Sequence, residues 1–209
     1  MRLVLASNNA KKLAELGQLF APLGIELVTQ GSLGVSEAEE PHQTFIENGL
    51  AKARHASAMT GLPAIADDSG LCVDALGGAP GVQSAVFAAF TPDIGMDREA
   101  QRRAQDAANN RLLLDQLAGK TDRRASFVCA LVALRSPQDP EPLIAFGRWN
   151  GQILAEPRGE GGFGYDPLMF IPSLGNTVAD LPSEVKNANS HRAIAAAQML
   201  ALMRQAWRI

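Results

Sequence analysis

Residues 64–74 read AIADDSGLCVD, an apolar, strand-like run interrupted by two adjacent aspartates, and this run sets the hardest condition on any fold the chain adopts. Neighbouring carboxylates repel, and each is costly to take out of water, so folding alone gives little reason to place them there. Either they face solvent, or something positive sits between them. The reading puts them at the end of a buried strand, with Ala64-Ile65-Ala66 leading in and Leu71-Cys72-Val73 continuing beyond. The 209 residues suffice for one sizeable core divided into two lobes, and no repeat, low-complexity tract or linker marks an independent domain. Residues 1–209 are therefore expected to form a single two-lobed domain.

The flanking pattern mixes strand and helix signals without regular alternation. Arg2–Ala6 and Ile25–Thr29 read as short strands, and between them Leu13, Leu16, Leu19 and Phe20 mark one helical face. Thr44 and Glu47 have the spacing of a capping box, and Gly61 supplies the stop of the helix that follows. A charged helix is expected over residues 97–118 and a closing helix over 190–207. Strands are expected at Arg124–Arg135 and Leu143–Trp149, with Pro137, Pro140 and Pro142 in the turn between them. Such an order predicts a mixed α/β sheet rather than a doubly wound parallel one.

Composition narrows the function classes. A formal net charge of −3 gives no broad cationic face for nucleic acid. No run approaches the ~18 apolar residues a membrane span needs, and the two cysteines, Cys72 and Cys129, lie in apolar runs as small buried hydrophobes of a reducing compartment. A cytoplasmic, soluble protein is expected.

Four segments carry chemistry. In SNNAKK (residues 7–12) a strand, a polar turn and a helix start follow one another, which suits either a plain capped helix or a phosphate site. Glu37, Glu39, Glu40, Asp67 and Asp68 offer oxygen ligands for a hard ion such as Mg²⁺, while a solvated acidic loop is the bland reading of the glutamates. GGFGYDP (161–167) lets the backbone approach a flat ligand, with Phe163 as a stacking face and Asp166 as an acceptor for a base edge; taken without its context, the segment reads first as a hairpin with a core Phe and Tyr. Lys186 and Ser190-His191-Arg192 supply donors for a carbonyl oxygen, or else a helix cap with solvated charges. A phosphate turn, metal carboxylates, an aromatic platform and base-edge donors together meet the needs of a nucleoside triphosphate site.

Several long motifs in order carry a resemblance: LASNNAKKLAEL, EAEEPHQTFIENGLAKARHA, LPAIADDSGLCVDALGGAPGVQSA, GGFGYDPLMF and SHR. With these the chain resembles the inosine/xanthosine triphosphate pyrophosphatases, which remove non-standard purine nucleotides. The resemblance implies an elongated mixed α/β sheet whose two lobes flank a central nucleotide-binding cleft, and a homodimer. It implies that Ser7, Asn8, Asn9, Ala10, Lys11, Lys12 and Lys52 hold the phosphates, and that Asp68 is the general base. Asp68 would organise Mg²⁺ with Glu40 or Glu39, and Ser69 would touch the substrate. Phe163, Gly164, Tyr165, Asp166, Lys186, His191 and Arg192 would line the nucleoside end. Asp67 would tune its neighbour or bind metal itself. Asn8 stands where the family usually has glycine; if the position needs a positive φ, asparagine is the next best tolerated residue. The implied reaction is hydrolysis of ITP, dITP or XTP between the α- and β-phosphates.

Other families share parts of this pattern. Asp68-Ser69-Gly70 spells the D-S-G of aspartic proteases, which needs a second aspartate from another lobe or subunit. The septum-formation type of nucleotide pyrophosphatase has a similar cleft but a different opening motif, and it lacks FGYDP with SHR. A non-catalytic nucleotide-binding regulator would need neither Asp68 nor the glutamates.

Overall fold

The computed structural model describes residues 1–92 and 95–209, the side chains of Lys11 and Leu23 excepted. In chain order the elements are β1 (Arg2–Leu5), α1 (Ala10–Phe20), β2 (Glu26–Thr29), α2 (Phe45–Thr60), β3 (Ala64–Val73) and α3 (Arg98–Gln116). They continue as β4 (Arg124–Leu134), β5 (Leu143–Ile153), β6 (Met169–Ile171), β7 (Asn176–Thr177), α4 (Ser183–Asn189) and α5 (His191–Leu202). The strands make one mixed sheet of order β2-β1-β3-β4-β5-β6-β7. β1 pairs in parallel with β2 and β3, whereas β6 is antiparallel to both β5 and β7. The mixed α/β sheet expected from the sequence is the one that forms.

The chain divides into two compact units: residues 1–69, 128–148 and 189–209, and residues 70–127 and 149–188. In the first unit the side-chain alternation of the strands feeds two cores. Leu3, Leu5, Ile65, Cys129, Leu131 and Ala133 face one way and pack with Leu16 and Phe20 of α1 and with Ala195, Ala196 and Met199 of α5. The alternate residues Val4, Ala6, Ala64, Ala66, Val132 and Leu134 face the other way and meet Ala53 and Ala56 of α2. Strands buried on both faces read as unbroken apolar runs, which is why RLVLA and SFVCALVAL show no polar alternation. The second unit has its own core, in which Leu113 and Leu117 of α3 meet Leu71, Val73, Phe127, Trp149, Tyr165, Leu168 and Met169.

Three expectations need correction. β3 does not end at the aspartates but runs through them for ten residues. β5 continues past Trp149 to Ile153, because Gly151 admits the close approach of the Phe170 carbonyl on β6. The closing helix stops at Leu202 and widens into a π-turn over Met203–Trp207. The capping reading of α2 holds: Thr44 Oγ1 accepts the Glu47 N–H at 3.2 Å and donates to the Glu47 carboxylate at 2.6 Å, and Gly61 closes the helix at φ +68°.

Gly147 on β5 lies directly beneath the first turn of α5. A Cβ there would overlap the His191 carbonyl oxygen and come within 2.7 Å of the Ala195 nitrogen. Gly147→Ala should therefore push the helix off the sheet and destabilise the protein by ~1–3 kcal/mol, read as a lowered midpoint in urea or thermal unfolding.

Candidate active site

Alternation along β3 also governs the aspartate pair. Asp67 shares the face of Ile65, toward α1 and α5, and Asp68 shares the face of Ala64 and Ala66, toward α2. Each carboxylate thus meets a cation from its own helix. On the first face Asp67 is fully buried, and its Oδ1 receives Lys12 Nζ of α1 at 2.9 Å and the Ser69 hydroxyl at 2.5 Å. Its Oδ2 receives Arg192 Nε of α5 at 2.7 Å. Arg192 Nη1 in turn donates to Glu15 of α1 at 3.2 Å, and Glu15 lies one turn after Lys12 on the same helix. Two carboxylates and two cations are thereby linked in a chain. Burial alone would raise the pKa of Asp67, but Lys12, Arg192 and the Ser69 hydroxyl outweigh it and hold the carboxyl well below the usual carboxylate range. The same carboxylates hold the Arg192 guanidinium protonated against its burial.

On the second face Lys52 Nζ of α2 donates to Asp68 Oδ1 at 2.6 Å and to Glu40 Oε2 at 3.1 Å. The Asp67 carbonyl accepts from both lysines, Lys12 at 3.1 Å and Lys52 at 3.3 Å, so the peptide between the aspartates is held from the two sides of the sheet. Burial pushes the Asp68 pKa up to about 6, Lys52 opposing this and Glu40 reinforcing it. Burial would lower the pKa of Lys52, yet Asp68 and Glu40 raise it. Asp68 Oδ2 is buried with no hydrogen-bond partner. A cavity of about 110 Å³ opens beside these groups, lined among others by Ser7, Lys12, Glu37, Glu40, Lys52 and Asp67.

The SNNAKK turn borders this cavity but uses several of its own polar groups locally. Ser7 Oγ accepts the Asn9 N–H at 3.2 Å, and Asn9 Oδ1 accepts the Lys12 N–H at 3.4 Å, so part of the capped-helix reading is realised. Asn8 is not in the left-handed region: among the described non-glycine residues Arg208 alone has a positive φ. Its side chain instead accepts the Gly31 N–H at 2.8 Å and donates to Glu37 at 3.3 Å. Ala10 opens α1, and the Lys11 side chain lies outside the described residues. Glu39 is exposed on the loop before α2. His191 is buried in the first turn of α5, which Ser190 caps by accepting the Ala193 N–H at 3.2 Å.

In the second unit GGFGYDP forms a tight loop. Asp166 Oδ2 accepts the Phe163 N–H at 3.0 Å and Lys186 Nζ of α4 at 2.7 Å, and the Lys186 ammonium lies 4.8 Å from the centre of the Phe163 ring. Gly162, at φ +77°, has no room for a Cβ, which would run into the Asp166 carboxylate. Tyr165 is buried, its hydroxyl donating to the Ser84 carbonyl at 2.8 Å, so it is the core tyrosine of the plainer reading, set in a loop of turns rather than a hairpin.

A family model described as the Ham1 family matches residues 3–202. The chain belongs to the Ham1 family. It is 70% identical over its full length, and the full length of the relative, to a dITP/XTP pyrophosphatase of Leptothrix cholodnii. It is 71% identical over 99% of both chains to a dITP/XTP pyrophosphatase of Methylibium petroleiphilum. Among solved structures it superposes on a HAM1 protein from Coxiella burnetii with a TM-score of 0.88 and 42% identity, covering 99% of this chain and 100% of that one. The family resemblance read from the motifs is thus shown.

The sequence motifs give no site role to Glu15, Asp106 or Asn110; the last two hold Gly164 from α3. For Glu15 the signal present was its helical spacing from Lys12. The buried set makes a stability prediction. The folded pKa of Asp67 lies below its ordinary value of 3.8, so its stabilisation is present above that pH and is lost as pH falls below it. Asp67→Asn leaves Arg192 and Lys12 short of a counter-charge and should cost ~3–5 kcal/mol at pH 7. The gap from the unchanged protein should narrow in acid, as compared by urea unfolding at pH 7 and pH 2.5.

Proposed function

We propose that this chain hydrolyses non-standard purine nucleoside triphosphates, dITP, XTP and ITP, to the monophosphate and pyrophosphate. The observation that carries the reading is Asp68: a buried carboxylate of raised proton affinity, with one oxygen partnerless, paired to Lys52, which lines the cavity with Glu40 and Lys12. Full-length relatives named dITP/XTP pyrophosphatases support the same reaction.

The residues divide the work by charge. Lys12 and Lys52 line the cavity and attract the triphosphate, while Ser7 offers a hydroxyl at its edge. Asp68 accepts the proton of the attacking water, and a folded pKa near 6 keeps it ionised at neutral pH while still basic enough to take that proton. Asp67 stays ionised and acts through the backbone it shares with Asp68. Its carboxylate is committed to Lys12, Arg192 and Ser69, which supports a tuning role over metal binding. By the family resemblance Phe163, Asp166 and Lys186 contact the base.

Mg²⁺ fits the donor set. The Asp68 oxygen lacking a partner and the half-exposed Glu40 carboxylate are hard oxygen donors, and exposed Glu39 precedes Glu40 in the chain. Mg²⁺ is usually held by one or two carboxylates plus substrate phosphates; among the described residues no group of three His, Cys, Asp or Glu side chains could hold an ion by itself. When bound, Mg²⁺ would neutralise phosphate charge and make pyrophosphate a better leaving group. We also propose a homodimer acting in the cytoplasm, residues 1–209 forming one functional domain; sedimentation at working concentration tests the dimer.

Pyrophosphate release from dITP, XTP, ITP, ATP and GTP, with and without Mg²⁺, tests the function. Turnover of the first three in Mg²⁺ and its loss in EDTA are expected, and ATP hydrolysed as fast as dITP would sink the reading. Asp68→Asn should lower kcat ~10²–10⁴-fold with dITP binding retained. The acid limb of kcat/KM should move to higher pH in Lys52→Met, because Lys52 holds the Asp68 pKa down.

A further inference from the structure

Both backbone polar groups of Gly164 are taken by one helix. Asp106 Oδ2 accepts the Gly164 N–H at 2.9 Å, and Asn110 Nδ2 donates to the Gly164 carbonyl at 2.9 Å. Asp106 and Asn110 stand one turn apart on α3 and so share a face of the helix. Gly164 itself is left-handed, at φ +61°. The Gly164 N–H lies in the peptide joining it to Phe163, so Asp106 holds that peptide, while Asn110 holds the next one, to Tyr165, through the Gly164 carbonyl; the Phe163 N–H on the other side is fixed by Asp166. The ring of Phe163 therefore leaves a backbone anchored on both flanks.

The amide of Asn110 is informative in a second way. Its Oδ1 is buried with no hydrogen-bond partner, a standing cost that an alanine or leucine at this position would avoid. The amide cannot be turned to relieve it without pointing an oxygen at the Gly164 carbonyl. What offsets that cost is the donor, and the donor's partner is the loop. A residue chosen for packing alone would not carry this arrangement.

We propose that Asp106 and Asn110 are positioning residues for substrate: by fixing Gly164 they set the plane of the Phe163 ring against which the purine stacks. The proposal rests on the reading of Phe163 as the base platform.

Steady-state kinetics of the full chain with dITP and Mg²⁺ test it by double-mutant cycles. Phe163→Ala should raise KM ~10-fold, as loss of one base stack does, with a smaller change in kcat. Asp106→Ala and Asn110→Ala should each raise KM by about as much, yet add less than about twofold in the Phe163→Ala background, since the group they orient is gone. Asp106→Asn keeps an oxygen acceptor and should restore KM to within about twofold of the unchanged chain. Where an alanine variant loses cooperative unfolding, the serine variant at the same position carries the comparison. The proposal is overturned if the α3 variants raise KM equally in both backgrounds, leave it unchanged, or are not rescued at position 106. A Phe163→Ala variant with unaltered KM would instead remove the base-platform reading itself, and the two failures are told apart by that single variant.

Discussion

The charged cluster of the first unit depends on a strand that carries two adjacent carboxylates and sends them to opposite sides of a sheet. Like charges on neighbouring residues would repel on one surface, but period-two alternation separates Asp67 and Asp68 by the thickness of the backbone. Each then obtains its own lysine, Lys12 from α1 or Lys52 from α2. The two environments differ in kind. Asp67 is surrounded by two cations and a hydroxyl and stays ionised, whereas Asp68 has one lysine, a neighbouring glutamate and an unsatisfied oxygen, and its pKa rises to about 6. Two identical side chains, one position apart, acquire opposite shifts in proton affinity from their surroundings alone.

Burying the Asp67 set is not by itself a gain in stability, since an ion pair deprived of water roughly breaks even against apolar residues of the same size. Its value lies in specificity of position. Arg192 of α5 and Lys12 of α1 can satisfy Asp67 only when both helices are docked in one register on β3. The apolar contacts beneath them, Leu16 and Phe20 against Ala195, Ala196 and Met199, are more tolerant of sliding. The polar set removes that freedom, and the site inherits the precision.

Much of this was legible in the chain. RLVLA, the capping box at Thr44, the charged helix and the strand of residues 124–135 announced themselves by period and by turn chemistry. The aspartates were legible as chemistry but misplaced as structure: polar residues inside an apolar run read as its end, because nothing local says that cations wait on both faces. Glu15 and Asp106 escaped for a different reason. Their partners lie 177 and 58 residues away along the chain, so no window of sequence contains both ends of either interaction. The short strands β6 and β7, of three and two residues, are too brief to show a period. Asn8 was noticed for its backbone, yet what it does is done by its amide, which ties the first turn to Gly31 and Glu37.

Face-to-face division of the aspartates also bears on how such a chain can change over generations. Point substitutions along β3 alter one contact at a time, but gaining or losing a single residue before Asp67 would exchange the faces of everything beyond it. The carboxylate meant for Arg192 would then face α2, and the one meant for Lys52 would be pressed among the residues of α1 and α5. Drift by insertion or deletion is thereby closed to this strand while substitution stays open. Changes of length must be absorbed elsewhere, in connections such as the one between α2 and β3 or the proline-bearing turn between β4 and β5.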